Sequence, residues 1–303
     1  MSTDASPADP NATIWRFVEF WKFEDLLKTF SDQSRWQTYP ENTNFHQPSG
    51  QFWFSYPFAF EDTYEGVFTA KNSDPETFCD EQAKLQQLSS SEAKKRKLKF
   101  LCEDTKSRRD AISILAQICG VSCWHQNEEE SRQMWQHLFE DSPDALAIKS
   151  TVGNVEGALG AATGVPNSQK KIAITKVGYV NYGDYFMKRD GYFDLLCFIR
   201  EGLELENEVR FLAHSAHFNE LFDGGVDQLE TQPDMSGITQ RAEEIWLQNQ
   251  QDKIEGFHLP VDLAAMDMEV VLSPTASDET LSKIRSMLKN VNLSPDVVRK
   301  SQY

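Results

Sequence analysis

Apolar positions alternate along Ile14-Trp-Arg-Phe17 and then shift to helical spacing at Phe23, Leu26, Leu27 and Phe30. That change of period predicts a strand running straight into a helix. Residues 1–12 carry no apolar pattern and read as a disordered tail, and 31–50 are polar and turn-rich. Gln51-Phe-Trp-Phe-Ser-Tyr-Pro57 alternates again and predicts a strand closed by proline. Asp62-Thr-Tyr-Glu-Gly66 reads as a loop or a first helical turn, and residues 75–117 read as helical with breaks near Ser89-Ser-Ser91.

Further along, Ile118-Cys-Gly-Val-Ser-Cys-Trp124 predicts a short buried strand. Asn127 reads as the N-cap of a helix whose positive first turn holds Glu128, Glu129 and Glu130, with Trp135, Leu138 and Phe139 on its apolar face. Strands are predicted at 146–151, 172–182 and 203–213, a small-residue helix or loop at 152–166, and a helix over 184–200. The stretch 214–256 is acidic and irregular and reads as an insertion with a helix near 238–249. Strands at 257–262 and 268–273 and a helix over Asp278–Lys289, capped by Ser277 or Asp278, complete the chain. Strands without a regular βαβ rhythm, with helices in blocks, predict an α+β fold. The expected form is one domain over 13–303, a curved mixed or mainly antiparallel sheet surrounded by helices, carrying insertions near 75–117 and 214–256.

At 303 residues and 40% hydrophobic, the chain can bury a sizeable core. No apolar run reaches the roughly 18 to 20 residues of a membrane span. The first ten residues are acidic and polar, unlike a secretory signal. The cysteines (79, 102, 119, 123 and 197) are five in number and form no CxxC pair. They predict free thiols, no structural zinc and a cytoplasmic setting. A net charge of −17 repels nucleic acid at long range, and Lys94-Lys-Arg-Lys-Leu-Lys99 reads as a solvated helix face.

Strand alternation across Glu206-Asn-Glu-Val-Arg210 places Glu206, Glu208 and Arg210 on one face. A salt-bridged sheet rim and a polar site are both open readings of that face. Arg16 reads as a structural pair or an anion holder, and Ser55 and Ser122 as strand-end hydrogen-bonders or site groups. Trp124 and Trp135 read as core before ligand platform, and Asp62 and Glu65 as cap and turn before metal ligands. His214 and His217 lack a matched acid for metal binding, and Asp262 with Asp267 is an unsupported pair for a nuclease metal. Cys123 is a weak nucleophile candidate, with His125 or His258 as base. No GxGxxG, GxxxxGK or GxSxG motif is present.

The order Ile14-Trp-Arg-Phe17, Phe52-Trp-Phe-Ser55, Asp62-Thr-Tyr-Glu-Gly66, Val121-Ser-Cys-Trp124 with Met134-Trp135, Ala147-Ile-Lys149, Val177-Gly-Tyr-Val180, Glu206-Asn-Glu-Val-Arg210 and Val271-Leu-Ser-Pro274 resembles the bacterial family catalogued as domain of unknown function 2971. The resemblance covers residues 14–301 and departs from the family at 75–117 and 214–256. It supplies no activity. More distantly, the order Arg16, Ser55 or Ser122, then Glu206 or Glu208 resembles ADP-ribosyltransferase-like folds, whose strands present a basic residue, a Ser or Thr and a late Glu. That resemblance implies chemistry on NAD; a bacterial defence or effector role with an unknown target, a protein being one candidate, is the expectation drawn from it, and no metal is expected.

Breaking the nicotinamide–ribose bond creates an oxocarbenium-like centre that a carboxylate stabilises. Under this expectation Glu208 is the catalytic carboxylate with Glu206 beside it, Arg16 and Arg210 hold phosphates, Trp124 covers a ring, and Ser55 or Ser122 completes the site. The alternative is a non-catalytic protein-interaction module, which the acidic surface and the missing motifs fit. Either way, duplex DNA at physiological salt should bind weakly, because one basic run releases few counterions. A salt titration showing sub-micromolar affinity would refute this.

Overall fold

The computed structural model describes residues 5–30, 49–74, 77–78, 80–81, 84, 109–140, 142–163, 172–188, 191–215, 221 and 236–303. The architecture is α+β. Ten strands form one open, mixed sheet in which the pairs are antiparallel except for one. Along its main path run β1 (Ser6–Pro7), β6 (Ile172–Lys176), β9 (Glu208–His214), β4 (Cys119–Gln126), β2 (Thr13–Glu19), β5 (Ala145–Thr151), β11 (Glu269–Leu272) and β12 (Val298–Lys300). The strands β3 (Gly50–Ser55) and β10 (Gly256–Val261) pair with each other and branch from β4. A separate parallel pair is made by β7 (Gly178–Val180) and β8 (Phe198–Arg200).

Both faces of the sheet are covered, which is why its central strands read as continuous apolar runs. One face carries Ile14, Phe52, Phe54, Trp124, Phe211 and Val270 under the helices Val152–Thr163 and Asp278–Asn290. The other carries Val121 and Leu212 beneath the 109–117 helix and Leu195, with Trp15, Trp135 and Val271 beside them. Aromatic rings lock the first face: Phe52 stacks on Trp124 with centroids 5.8 Å apart, and Phe54 stacks on Phe257 at 5.9 Å.

Several expectations need correction. Residues 5–12 do not form a free tail: Ser6 and Pro7 pair with β6, the Pro10 carbonyl accepts from Gly153, and Ala12 is buried. The helix expected from Asn127 starts later, at Arg132, with Ser131 as its cap. The acids before it are used otherwise. The buried Glu130 carboxylate accepts from Trp135 Nε1 and from Arg299 and Ser301, so it anchors the C-terminal strand instead of a helix dipole. The strand expected over 172–182 breaks at Val177, where N–H groups turn from β9 to the Cys197 carbonyl.

The helix expected over 184–200 shrinks to Tyr192–Leu195. Side chains of Thr69 and Asn72 bind the backbone of Tyr185 and Met187, so that segment satisfies its polar groups without a helical ladder. The expected 203–213 strand begins only at Glu208. Before it lie a 3-10 turn, Glu204–Glu206, and Asn207 in the left-handed region at φ 37°, whose amide donates to the Gln126 carbonyl. Most of 75–108, including the Lys94–Lys99 run, and residues 31–48 and 222–235 lie outside the described residues.

The β3–β10 ladder depends on one glycine. A Cβ at Gly256 would lie 2.1 Å from the Phe54 carbonyl oxygen, a backbone atom that cannot step aside. Gly256→Ala should therefore lower stability by about 1–3 kcal/mol, as overpacking does. A chemical melt in which the variant matches the parent would refute that close approach.

Candidate functional site

Strand β4 meets β9 over seven pairs on one edge. Its other edge is divided. At the C-terminal end Gln126 and His125 pair with Ile14 and Trp15 of β2, and near the N-terminal end Val121 pairs with Ser55 of β3. Between those points β2 follows β5 and β3 follows β10, so the two ladders splay apart. The fork opens a cleft of about 870 Å³. Cys123 lies in its floor, Arg16 and Trp53 on facing strands of the fork, and His258 and Asp25 also line it.

Arg16 bridges the fork. Its Nη2 donates to the Trp53 carbonyl at 3.1 Å, taking the place of a ladder partner, and its guanidinium lies 4.5 Å from the Phe52 ring centroid. Among the described residues no carboxylate pairs with it. Burial pushes its pKa down to about 10, with only the nearby Cys123 acting the other way. It therefore stays cationic at neutral pH while lacking a counter-ion. Ser55 also lines the cleft, where its hydroxyl accepts from Trp53 Nε1 at 2.9 Å.

The other expected site residues are distributed differently. Ser122 and Trp124 alternate away from the cleft and are buried, at 1% exposure each. Trp124 sits in the core between Phe52 and Phe211, so it offers no face to a ligand. Glu206 is off the strand, in the turn before Asn207, where its carboxylate lies 3.5 Å from His137 Nε2. Glu206 and Glu208 therefore do not share a strand face, because the alternation used to pair them fails where the strand has not yet begun.

Glu208 and Arg210 do share a face, the one that also carries Cys123, and they are buried beside the cleft. Arg210 donates through Nε to Glu208 at 2.8 Å and through both Nη atoms to Glu65 at 2.7 Å, with Leu196 O completing the set. At 1% exposure and fully satisfied, it holds carboxylates rather than phosphates. The two carboxylates keep it charged, whereas burial lifts Glu65 above its ordinary value against the pull of Arg210. Glu65, read as a turn residue, is thus the main partner of the buried cation. Signal for it was present only in the Asp62–Gly66 turn, with no indication of a partner 145 residues away.

Cys123 lines the cleft and pairs across the ladder with Arg210, which puts it beside this ion cluster. Burial and the Glu208 charge push its thiol well up, which removes the thiolate a nucleophile needs. Cys119 and Cys197 are also unbridged thiols. Among the described residues no group of three or more His, Cys, Asp or Glu is arranged to hold a metal, and no helix is long and apolar enough to cross a membrane.

The cleft wall carries a pair that pattern reading missed. His258 Nε2 lies 2.5 Å from Asp25 Oδ2, and the other Asp25 oxygen accepts from Gln51 and Lys28. Burial raises the Asp25 pKa, but the hydrogen bonds from Lys28 and His258 outweigh it and hold the carboxyl below its ordinary value. His258 sits opposite Trp53 in the ladder, with ring centroids 4.8 Å apart. Spacing gives no hint of it, since Asp25 and His258 are 233 residues apart.

Glu65→Gln and Glu208→Gln each remove charged hydrogen bonds from buried Arg210 but leave it one carboxylate, so each should destabilise the fold by about 1–2 kcal/mol, less for Glu65, whose ionised form burial disfavours. Equilibrium urea unfolding checks this. A Glu208→Gln protein as stable as the parent would mean that Glu208 is free of the ion cluster.

Comparison of the chain with protein-family models, with curated proteins and with solved structures finds no match in any of the three.

Proposed function

We propose that the fork cleft binds an anionic, nucleotide-like small molecule, with NAD as the candidate ligand. The observation that carries this reading is Arg16: a half-buried guanidinium with one backbone hydrogen bond and no carboxylate partner among the described residues. Leaving such a cation uncompensated costs stability, and a bound phosphate would supply the missing charge with matched geometry. Trp53, Phe17 and Phe60 line the same cleft and supply aromatic surface for a base or nicotinamide ring. Ser55 remains a ligand-facing hydroxyl in this reading, while Arg210 and Glu208 lie buried beside the cleft and Trp124 packs on the opposite face of the sheet. Enzymatic use of NAD, as in ADP-ribosyltransferase-like proteins, is the activity proposed for this site.

A protein-interaction role is the second reading, and one surface favours it. Trp21 is 59% exposed and Leu138 43% exposed, and both lie in a shallow depression with Glu19, Glu140 and Asp144. Trp21 lines the fork cleft as well, so a protein target docking there would lie beside the small-molecule site.

Isothermal titration with NAD, ADP-ribose and inorganic phosphate tests the first reading. Wild-type protein should bind NAD at sub-millimolar concentration. Arg16→Met should weaken binding by about 10- to 100-fold, the worth of a charge-assisted pair. The same substitution removes a desolvated charge but leaves the Trp53 carbonyl without its donor, so the two effects oppose and the melting temperature should change little. Failure of wild-type protein to bind any of the three ligands at millimolar concentration would overturn the reading in favour of the interaction role.

A further inference from the structure

The cleft contains a second chemical element beyond its anion anchor. Asp25 lies in the helix Phe20–Leu26 that follows β2, and His258 lies on β10, so the two come from opposite branches of the fork. The Asp25 carboxylate can only accept, which places the ring proton on Nε2 and the lone pair on Nδ1 in the neutral imidazole. Among the described residues Nδ1 has no hydrogen-bond partner, and the side chain is 27% exposed in a cleft wall. The ring is held from two directions. Asp25, itself fixed by Gln51 and Lys28, clamps one edge, and Trp53 packs against it at an interplanar angle of 65°. A fixed tautomer, an oriented ring and an available base nitrogen beside an anion anchor are the parts of a general base.

We infer that His258, oriented by Asp25, is the general base of a hydrolytic or transfer reaction on the anionic ligand held by Arg16. This rests on the proposed binding of such a ligand in the cleft. With NAD, His258 Nδ1 takes a proton from water as the oxygen forms a bond to ribose C1′. The C1′–nicotinamide bond breaks, and its electron pair stays on the departing neutral nicotinamide. The products are ADP-ribose, nicotinamide and a proton, which His258 passes to solvent. A hydroxyl of a protein target can replace water in the same step. Asp25 is a positioning residue in this scheme, and Glu208, buried with Arg210, takes no part in the proton transfer.

The experiment uses the full chain with NAD as probe, measuring binding by calorimetry and nicotinamide release by chromatography. Wild-type protein should bind and consume NAD. His258→Ala should retain binding and lose about 100-fold or more in kcat. Added imidazole should restore part of the His258→Ala turnover, a response that a purely structural histidine would not give. Asp25→Asn should lower kcat with KM little changed. His258→Gln, of closer shape, guards against a folding defect and should be as inactive as His258→Ala. No binding by wild-type protein would overturn both the ligand reading and the base. Binding without nicotinamide release would overturn the proposed NAD chemistry and with it the base, leaving the ligand reading; full turnover by His258→Ala, or lost turnover without imidazole rescue, would overturn the base alone.

Discussion

Strand β4 has two edges and three strands to serve. One edge is given wholly to β9, while the other is divided between β2 and β3. Each of those strands has a stronger commitment elsewhere, β2 to β5 over seven pairs and β3 to β10 over six. They cannot both lie along β4, so the sheet forks. Backbone groups in the fork lose ladder partners, and a buried carbonyl without a donor is costly. Arg16 meets that cost for Trp53 with its own side chain. The cleft and its cation thus follow from a single pairing conflict. Arg16, Trp53, Cys123 and His258 all stand on paired strands, which hold side chains more firmly than loops would.

Two arginines near β4 show how environment divides one residue type into different roles. Arg210 is enclosed by Glu65 and Glu208 and has its donors used. It joins β9 to the turn at Asp62–Gly66, and the cluster carries more negative than positive charge. Arg16 has the opposite balance, positive with no carboxylate beside it. Between them lies Cys123, close enough to feel both sets of charges. The ion cluster beside Cys123 is therefore acidic while the fork is basic. A ligand with phosphate at one end and a cationic ring at the other is complementary to such a field.

The overall charge of −17 works against anionic ligands at distance. Screening over about 8 Å at physiological salt confines that effect, so local chemistry in the cleft decides binding. The acidic balance bears more on macromolecular partners. Trp21, Leu138 and the carboxylates around them form an exposed apolar and acidic patch at the rim of the same cleft.

Much of the fold was legible in the sequence, because period-two and helical apolar patterns are local signals. The strand at Ile14–Phe17 running into a helix, the strand around Phe52–Phe54, the buried strand at Cys119–Trp124, and the Ser277-capped helix all appear where the pattern puts them. The α+β class followed from the same signals. Composition bounded the chemistry but did not identify it. Arg16 and Ser55 were legible as candidates, and the cleft holds both. Tertiary structure alone decided the rest. Alternation assigned Glu206 and Glu208 to one face, but Asn207 adopts a left-handed conformation to reach the Gln126 carbonyl, and the strand starts one residue later. Trp124 became core because Phe52 and Phe211 meet it from strands far away in the chain. The Asp25–His258 and Glu65–Arg210 pairs join segments separated by 233 and 145 residues. No local pattern encodes such contacts, because they exist only once the forked sheet has brought its strands together.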